Sequence, residues 1–400
     1  VLYLPLMDLA EPLRAVLLVP VAAMVGLTIL AYPLRWATSA VYGLQDAVWT
    51  GAANVLQPLV QVAIIVGLAE AGHGLLGLAV GTAAPPLIGS LVTWARLRTS
   101  RPSLARLARA PAPPLLRELF REGSRAWVGA VGWLLAVNSD LLVLRFLGFP
   151  FTVATVYSVT ALLPSMLMNL AWTLPDSANV GLAHLKAEGS PERVRSVVAM
   201  LALANLLLIG GVSCLVLCVN PTFVPLWMKD PGLYGGEALN LMFVADVVVL
   251  SAGHALLVPM GVLGHRRAAG LLQLCASLAQ LVLAAGLGRA AGPAGVAAAG
   301  PLITALLVLP VGAVLIGRYL GKEAVRALGA VAARWLPRWA PVAAACWWAG
   351  RTVIPRAGWP GVVAGAALAG MAYLLALRPL FRELPWGGRA GTWLRRLRVI

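Results

Sequence analysis

Asp140, Asp176, Asp246 and His254 lie within or at the ends of long apolar stretches. A titratable side chain is costly there and by default marks a substrate or ion path. Asp246 is the deepest carboxylate, with no basic residue within a helical turn, which suits a group that binds and releases a proton or Na⁺. His254 follows about 80° round a helix and about 12 Å along it. That is too far for direct contact, but both could share one polar wall; a buried structural histidine is the plainer alternative. Asp140 precedes Arg145 by one turn and a half, so an ion pair near the interface competes with a coupling role. Asn138 falls on roughly the opposite face of a continuous helix, so the two cannot line the same cavity. Tyr157, Asn169 and Trp172 share one stretch and could touch a sugar, though packing also accounts for them. Asp176 and Asn179, beside Pro175, read as helix termination.

Asn54, Gln57 and Gln61 recur at i, i+3 and i+7 as one helix stripe. Gln273 and Gln280 repeat its first and last members further along the chain. Amides so placed act as hydrogen-bond glue between membrane helices. Cys214 and Cys218 stand one turn apart, with Cys275 and Cys346 elsewhere; no CxxC spacing and no histidine cluster suggests a metal or cofactor. There is no nucleophile with a base, no paired acidic metal motif and no Gly-rich phosphate loop, so no enzymatic activity is expected.

These groups must be positioned by membrane-spanning helices. The chain has 400 residues, 60% of them hydrophobic and only 12% charged. Eleven apolar runs of bilayer length are visible: 14–34, 47–69, 74–95, 126–148, 153–180, 196–219, 238–263, 268–289, 294–317, 338–354 and 359–377. Without period-2 alternation they predict helices, since hydrocarbon demands that every backbone polar group be satisfied internally. The formal charge of +16 is unevenly spread. Alternating the spans across the membrane leaves all but Arg14, Arg145, Lys229, Arg289, Arg351 and Arg356 on one side. The richest loop carries Arg96, Arg98, Arg101, Arg106, Arg109, Arg117, Arg121 and Arg125. Basic loops stay cytoplasmic, so the excess reports orientation and contact with anionic membrane lipids rather than nucleic acid. Trp94, Trp127, Trp227, Trp335 and Trp339, at span ends, fit an aromatic belt.

The chain also repeats itself. Leu44/Leu263, Gly51/Gly270, Leu59/Leu278, Gln61/Gln280, Gly67/Gly286, Leu68/Leu287 and Ala71/Ala290 coincide at one fixed offset, and Asn54 falls on Gln273. A one-residue slip adds Gly74/Gly292, Gly77/Gly295 and Ala79/Ala297. The matched segments lie on the second and eighth spans, so the copies point the same way through the membrane. A parallel internal repeat is a construction rule of transporters. The expected organisation is a truncated first bundle over 1–95, a basic linker over 96–124 with a short interfacial helix at Leu115–Arg121, and a second six-helix bundle over 125–320. Two extra helices and a basic tail fill 321–400. The repeat further implies about 90 residues, two spans and most of a third, ahead of Val1.

Several local patterns resemble the polysaccharide-biosynthesis flippases of the multidrug/oligosaccharidyl-lipid/polysaccharide exporter superfamily. They are Asn138-Ser139-Asp140 running to Arg145 and Gly148, Val156-Tyr157-Ser158, Leu174-Pro175, Ala187-Glu188-Gly189 with Glu192-Arg193, and Gly261 to Gly264 before His265-Arg266-Arg267. The resemblance implies an all-α polytopic protein in a bacterial inner membrane, with cytoplasmic basic loops and C-terminus. Its expected substrate is an undecaprenyl-diphosphate-linked oligosaccharide, flipped by alternating access with possible H⁺ or Na⁺ coupling. A lipid II flippase or a cation-coupled multidrug exporter is the alternative. A membrane sugar-lipid polymerase or ligase is disfavoured because the longest outer loop, 220–237, offers only Lys229 and Asp230 as obvious polar groups.

Overall fold

The structure, a computed structural model, describes residues 11–44, 46–102 and 113–384. The stub 1–10, Arg106, Arg109, residues 110–112 and tail residues Arg389, Arg395, Arg396 and Arg398 lie outside the described residues. All regular elements among the described residues are helical. In chain order they are α1 (Glu11–Ala31), α2 (Arg35–Gly43), α3 (Ala47–Glu70), α4 (Gly74–Ser100), α5 (Pro113–Asn138), α6 (Asp140–Phe146), α7 (Phe151–Ser177) and α8 (Asn179–Ala187). There follow α9 (Pro191–Met228), α10 (Gly236–Met260), α11 (Arg266–Ile303), α12 (Leu309–Leu320), α13 (Lys322–Thr352) and α14 (Gly358–Phe381). Single π-helical turns, Gly261–His265 and Thr304–Val308, flank α11.

Six stretches among the described residues are long and apolar enough to cross a membrane: Ala15–Val41, Gly74–Ser100, Phe151–Ala187, Pro191–Met228, Gly236–Leu320 and Ile354–Phe381. Counting the bent pair α5 and α6 as one span makes seven. Gly236–Leu320 contains three of the expected spans, broken where Gly264 takes φ 98° and Gly292 takes φ 64°, ψ −150°. Only glycine enters that second region without strain, so Gly292 ends one helix and turns the chain. Gly288 then packs against Val296 and Leu287 against Gly295. Two expected spans differ. The run 338–354 is the second half of α13, whose first half carries Lys322, Glu323, Arg326 and Arg334, and it is not among the six. The described apolar part of α3, Leu56–Glu70, is shorter than a span.

The chain divides into two compact units, Val1–Leu115 and Leu116–Ile400. In the first, α3 and α4 form a hairpin in which Leu68 packs on Gly77, Ile65 on Gly81 and the Gln57 amide on Gly89. Leu68–Gly77 and Leu287–Gly295, aligned by the expected repeat, are each a close contact between successive helical segments. The Asp46 carboxylate accepts from Arg96 Nε at 3.2 Å, and Thr38 and Thr93 hydroxyls meet at 3.1 Å.

In the second unit the main core joins α9 to α13 and α14 through Leu207, Cys214, Cys218, Trp335, Tyr373 and Leu377, all buried. Apolar faces inside a membrane gain little from hydrophobicity alone, so polar contacts and close packing set the geometry. Tyr373 Oη donates to Leu207 O at 2.7 Å, and Trp339 Nε1 donates to Ser213 Oγ at 2.9 Å. Buried Asn220 donates to Thr160 O at 3.0 Å and to Asn240 Oδ1 at 2.8 Å, tying α7, α9 and α10 together.

The interfacial helix expected at Leu115–Arg121 is the beginning of α5 and continues into its apolar part. It is amphipathic: Leu116, Leu119 and Phe120 are exposed, and Arg121 lies near Glu118 and Glu122.

Candidate functional site

The carboxylates converge because a helix breaks. Between Asn138 and Asp140 the axis bends by 60°, with Ser139 outside both helices. On a continuous helix Asn138 and Asp140 would face apart; the bend brings both to the wall of one cavity of about 220 Å³. The expectation that they could not share a cavity is thereby corrected, because wheel geometry does not hold across a break. Tyr157, on α7 and buried, donates from Oη to Asp140 Oδ2 at 2.5 Å. The second oxygen, Oδ1, is buried and has no hydrogen-bond partner among the described residues. Arg145 does not pair with Asp140. Its guanidinium stacks 4.7 Å from the centre of the Phe151 ring, because helix α6 carries it away from the bend.

Asp246 on α10 faces the same cavity. No hydrogen bond or ion pair holds it among the described residues, and Asp140 lines the same cavity. Gly300 on α11 makes room for it: a Cβ there would lie 2.8 Å from Asp246 Oδ1 and 3.4 Å from Gln280 Nε2. Phe243, edge-on to Tyr157 with ring centres 4.9 Å apart, closes one wall. Two carboxylates, a phenol and hydroxyls of Ser158 and Ser165 therefore face a small space inside a helical body. Such oxygen ligands suit a proton or a hard cation. No group of three or more His, Cys, Asp and Glu side chains arranged to hold a metal ion occurs among the described residues.

His254 does not share this wall. It lines a separate cavity of about 360 Å³ with Trp133, Asn179, Arg266 and Gln273. The imidazole meets Asp176 Oδ1 at 3.1 Å and packs beside Trp133 and Trp172, ring centres 4.9 and 5.3 Å away, while the two indoles meet each other edge-on at 4.6 Å. Trp172 is itself held by Ser251 Oγ at 3.1 Å. Asp176, expected to end a helix, thus also links α7 to α10.

The amides divide between roles. Gln280 donates to Ala136 O at 3.0 Å, an interhelical contact between α11 and α5. Gln273 bonds locally to Ser277, whose hydroxyl donates to Gly132 O at 2.6 Å. Gln57 packs against α4, and Gln61 presents its backbone carbonyl to Gly81. The side chain of Asn54 lies outside the described residues. Asn169 is exposed on α7 and lines neither of the two cavities. Sequence reasoning missed Asn205, Asn220, Asn240 and Ser251, all buried. Their only signal was an amide or hydroxyl within an apolar run.

The chain matches no family profile, no curated protein and no solved structure.

Proposed function

We propose that the protein is a membrane transporter that moves an undecaprenyl-diphosphate-linked oligosaccharide between leaflets by alternating access, driven by H⁺ or Na⁺ at Asp140 and Asp246. The observation that carries this reading is the pair of carboxylates facing one cavity without a basic partner, inside a body of apolar helices. Unpaired charge in such surroundings costs several kcal/mol, by the desolvation argument, unless an ion or proton arrives to occupy it. A sugar head and diphosphate cannot cross hydrocarbon unaided, and two like-facing bundles would give them a sheltered path. The equivalent hairpin contacts at Leu68–Gly77 and Leu287–Gly295 support the repeat underlying that arrangement. The asymmetry of basic loops supports a cytoplasmic C-terminus and an inner-membrane location.

A cation-coupled exporter of small organic cations is the second reading. Tyr157 and Phe243 beside two carboxylates favour it, since aromatic faces attract cations. One experiment separates them. The protein is reconstituted in vesicles containing a fluorescent polyprenyl-diphosphate-linked glycan, and leaflet exposure is followed under a pH or Na⁺ gradient. Gradient-dependent appearance of the glycan in the opposite leaflet is expected. Export of a fluorescent cation with no movement of the glycan would replace the first reading with the second.

A further inference from the structure

Two cavities succeed one another between α7 and α10 in the second unit, and Tyr157 borders both. The two helices run side by side in one direction. Thr160 Oγ1 accepts from Gly235 N at 2.8 Å near their starts, Trp172 Nε1 donates to Ser251 Oγ further on, and Asp176 meets His254 towards their ends. Basic Lys186 and Arg266 follow those ends in the chain. At the opposite end a cavity of about 310 Å³ is lined by Thr152, Val156, Tyr157, Ala238, Leu239 and Pro293. Thr152 and Ala238 are exposed, which puts its mouth at the helix starts. One turn deeper lies the cavity of Asp140 and Asp246: on α10, Leu239 gives way to Phe243 and then Asp246. The partition on this side is Tyr157, with Phe243 edge-on to it. Towards Arg266 the way is filled by the packed rings of Trp133, Trp172 and His254.

The first cavity has no charged lining residue, and its side-chain hydroxyls are those of Thr152 and Tyr157. A bare metal cation passing there would shed its hydration shell with few oxygens to replace it. A proton needs no such passage, because a phenol accepts at its oxygen while donating its own hydrogen. Around the deeper cavity the titratable groups are Asp140 from α6, Tyr157 from α7 and Asp246 from α10. Asn138 from α5, and Gln280 and Gly300 from α11, are neutral.

From this geometry we infer that a proton reaches Asp140 from the Thr152 end, through the first cavity, and that Tyr157 relays it. A hydronium ion gives a proton to Tyr157 Oη, the original Oη–H bond breaks, and its proton passes to Asp140 Oδ2. Tyr157 ends neutral as it began, Asp140 becomes neutral, and a water molecule remains. The inference rests on the reading of Asp140 as a coupling carboxylate and selects H⁺ over Na⁺ there.

The test reads protonation of Asp140 with no transported solute, so a protein that moves no glycan leaves it intact. The full chain is reconstituted in vesicles in one orientation, Thr152 end outward, and a pH difference is held across the membrane. Dicyclohexylcarbodiimide, which couples to protonated carboxyls in apolar surroundings, is added, and the peptide bearing Asp140 is quantified by mass spectrometry. Labelling should be about fivefold or more higher with acid at the Thr152 end than with acid at the Arg266 end, as a gradient of about two pH units allows for one carboxyl. Ala238→Trp fills the first cavity and should remove this difference. Thr152→Cys, modified after folding by an impermeant thiol reagent from its own side, should remove it too, while the same reagent leaves the unaltered chain responsive. Tyr157→Phe keeps the ring without the hydroxyl and should also lose it. Labelling that follows the pH at the Arg266 end, or ignores both sides, overturns the inference. So does a response that survives Tyr157→Phe or either block of the first cavity.

Discussion

Tyr157 donates a 2.5 Å hydrogen bond to Asp140 across the junction of α6 and α7, just beyond the 60° bend at Ser139. The bond joins the broken helix to its neighbour. A hydrogen bond to an ionised group contributes about 1.5–3 kcal/mol. Tyr157→Phe should therefore destabilise the protein by about that amount in detergent unfolding. The combined Asp140→Asn, Tyr157→Phe variant should lose less than the sum of its parts, because each change removes the same contact. Additive losses would dissolve the pairing.

Asp246 has no partner among the described residues and faces Asp140 across the shared cavity. Asp246→Asn keeps the shape and removes the charge. It is expected to insert and fold normally while transport, or its dependence on an ion gradient, collapses. Undiminished gradient-driven transport by this variant removes Asp246 from the coupling step.

Gly300 leaves the space that Asp246 occupies. In Gly300→Ala a Cβ would press on the carboxylate, and overpacking of this sort costs about 1–3 kcal/mol. Transport should fall as it does in Asp246→Asn. Gly370→Ala adds the same methyl where nothing lies within 4 Å, and should behave as the unaltered chain. Equal behaviour of the two alanine variants would show that the Gly300 contact has no consequence.

At Gly292 the backbone takes φ 64° and ψ −150°, a conformation essentially reserved for glycine. Gly292→Ala should destabilise the second unit by about 1–3 kcal/mol. The loss should appear as a lowered unfolding midpoint in detergent, and an unchanged midpoint would contradict the turn.

Tyr373 fastens α14 to α9 through Leu207 O. Tyr373→Phe should cost about 0.5–1.5 kcal/mol and leave transport intact, because the contact lies in the packing core rather than at either cavity.

Much of the architecture is legible along the chain. Apolar runs near bilayer length announce helices because lipid offers the backbone no other hydrogen-bond partner. Gly264 and Gly292 mark turns because few other residues tolerate their dihedrals. Leu68 packs on Gly77 and Leu287 on Gly295, at positions that the proposed repeat aligns. The limit of α13 is not legible in the sequence. Its charged first half and aromatic second half form one helix, so hydropathy placed a boundary where hydrogen bonding places none.

The site is different in kind. Asp140 and Asp246 stand out in the sequence because charge within apolar chain is rare, and that much needs no coordinates. That they face one cavity depends on a bend at Ser139 and on the packing of α6, α7, α10 and α11, which no local pattern encodes. Helical periodicity separates Asn138 from Asp140, yet both line one cavity; it lets Asp246 and His254 share a wall, and they line two different cavities. Composition decides which groups are expensive in a membrane, because solvation is a property of the residue. Tertiary structure decides which of them meet, because partnership depends on distances set by helices far apart in the chain.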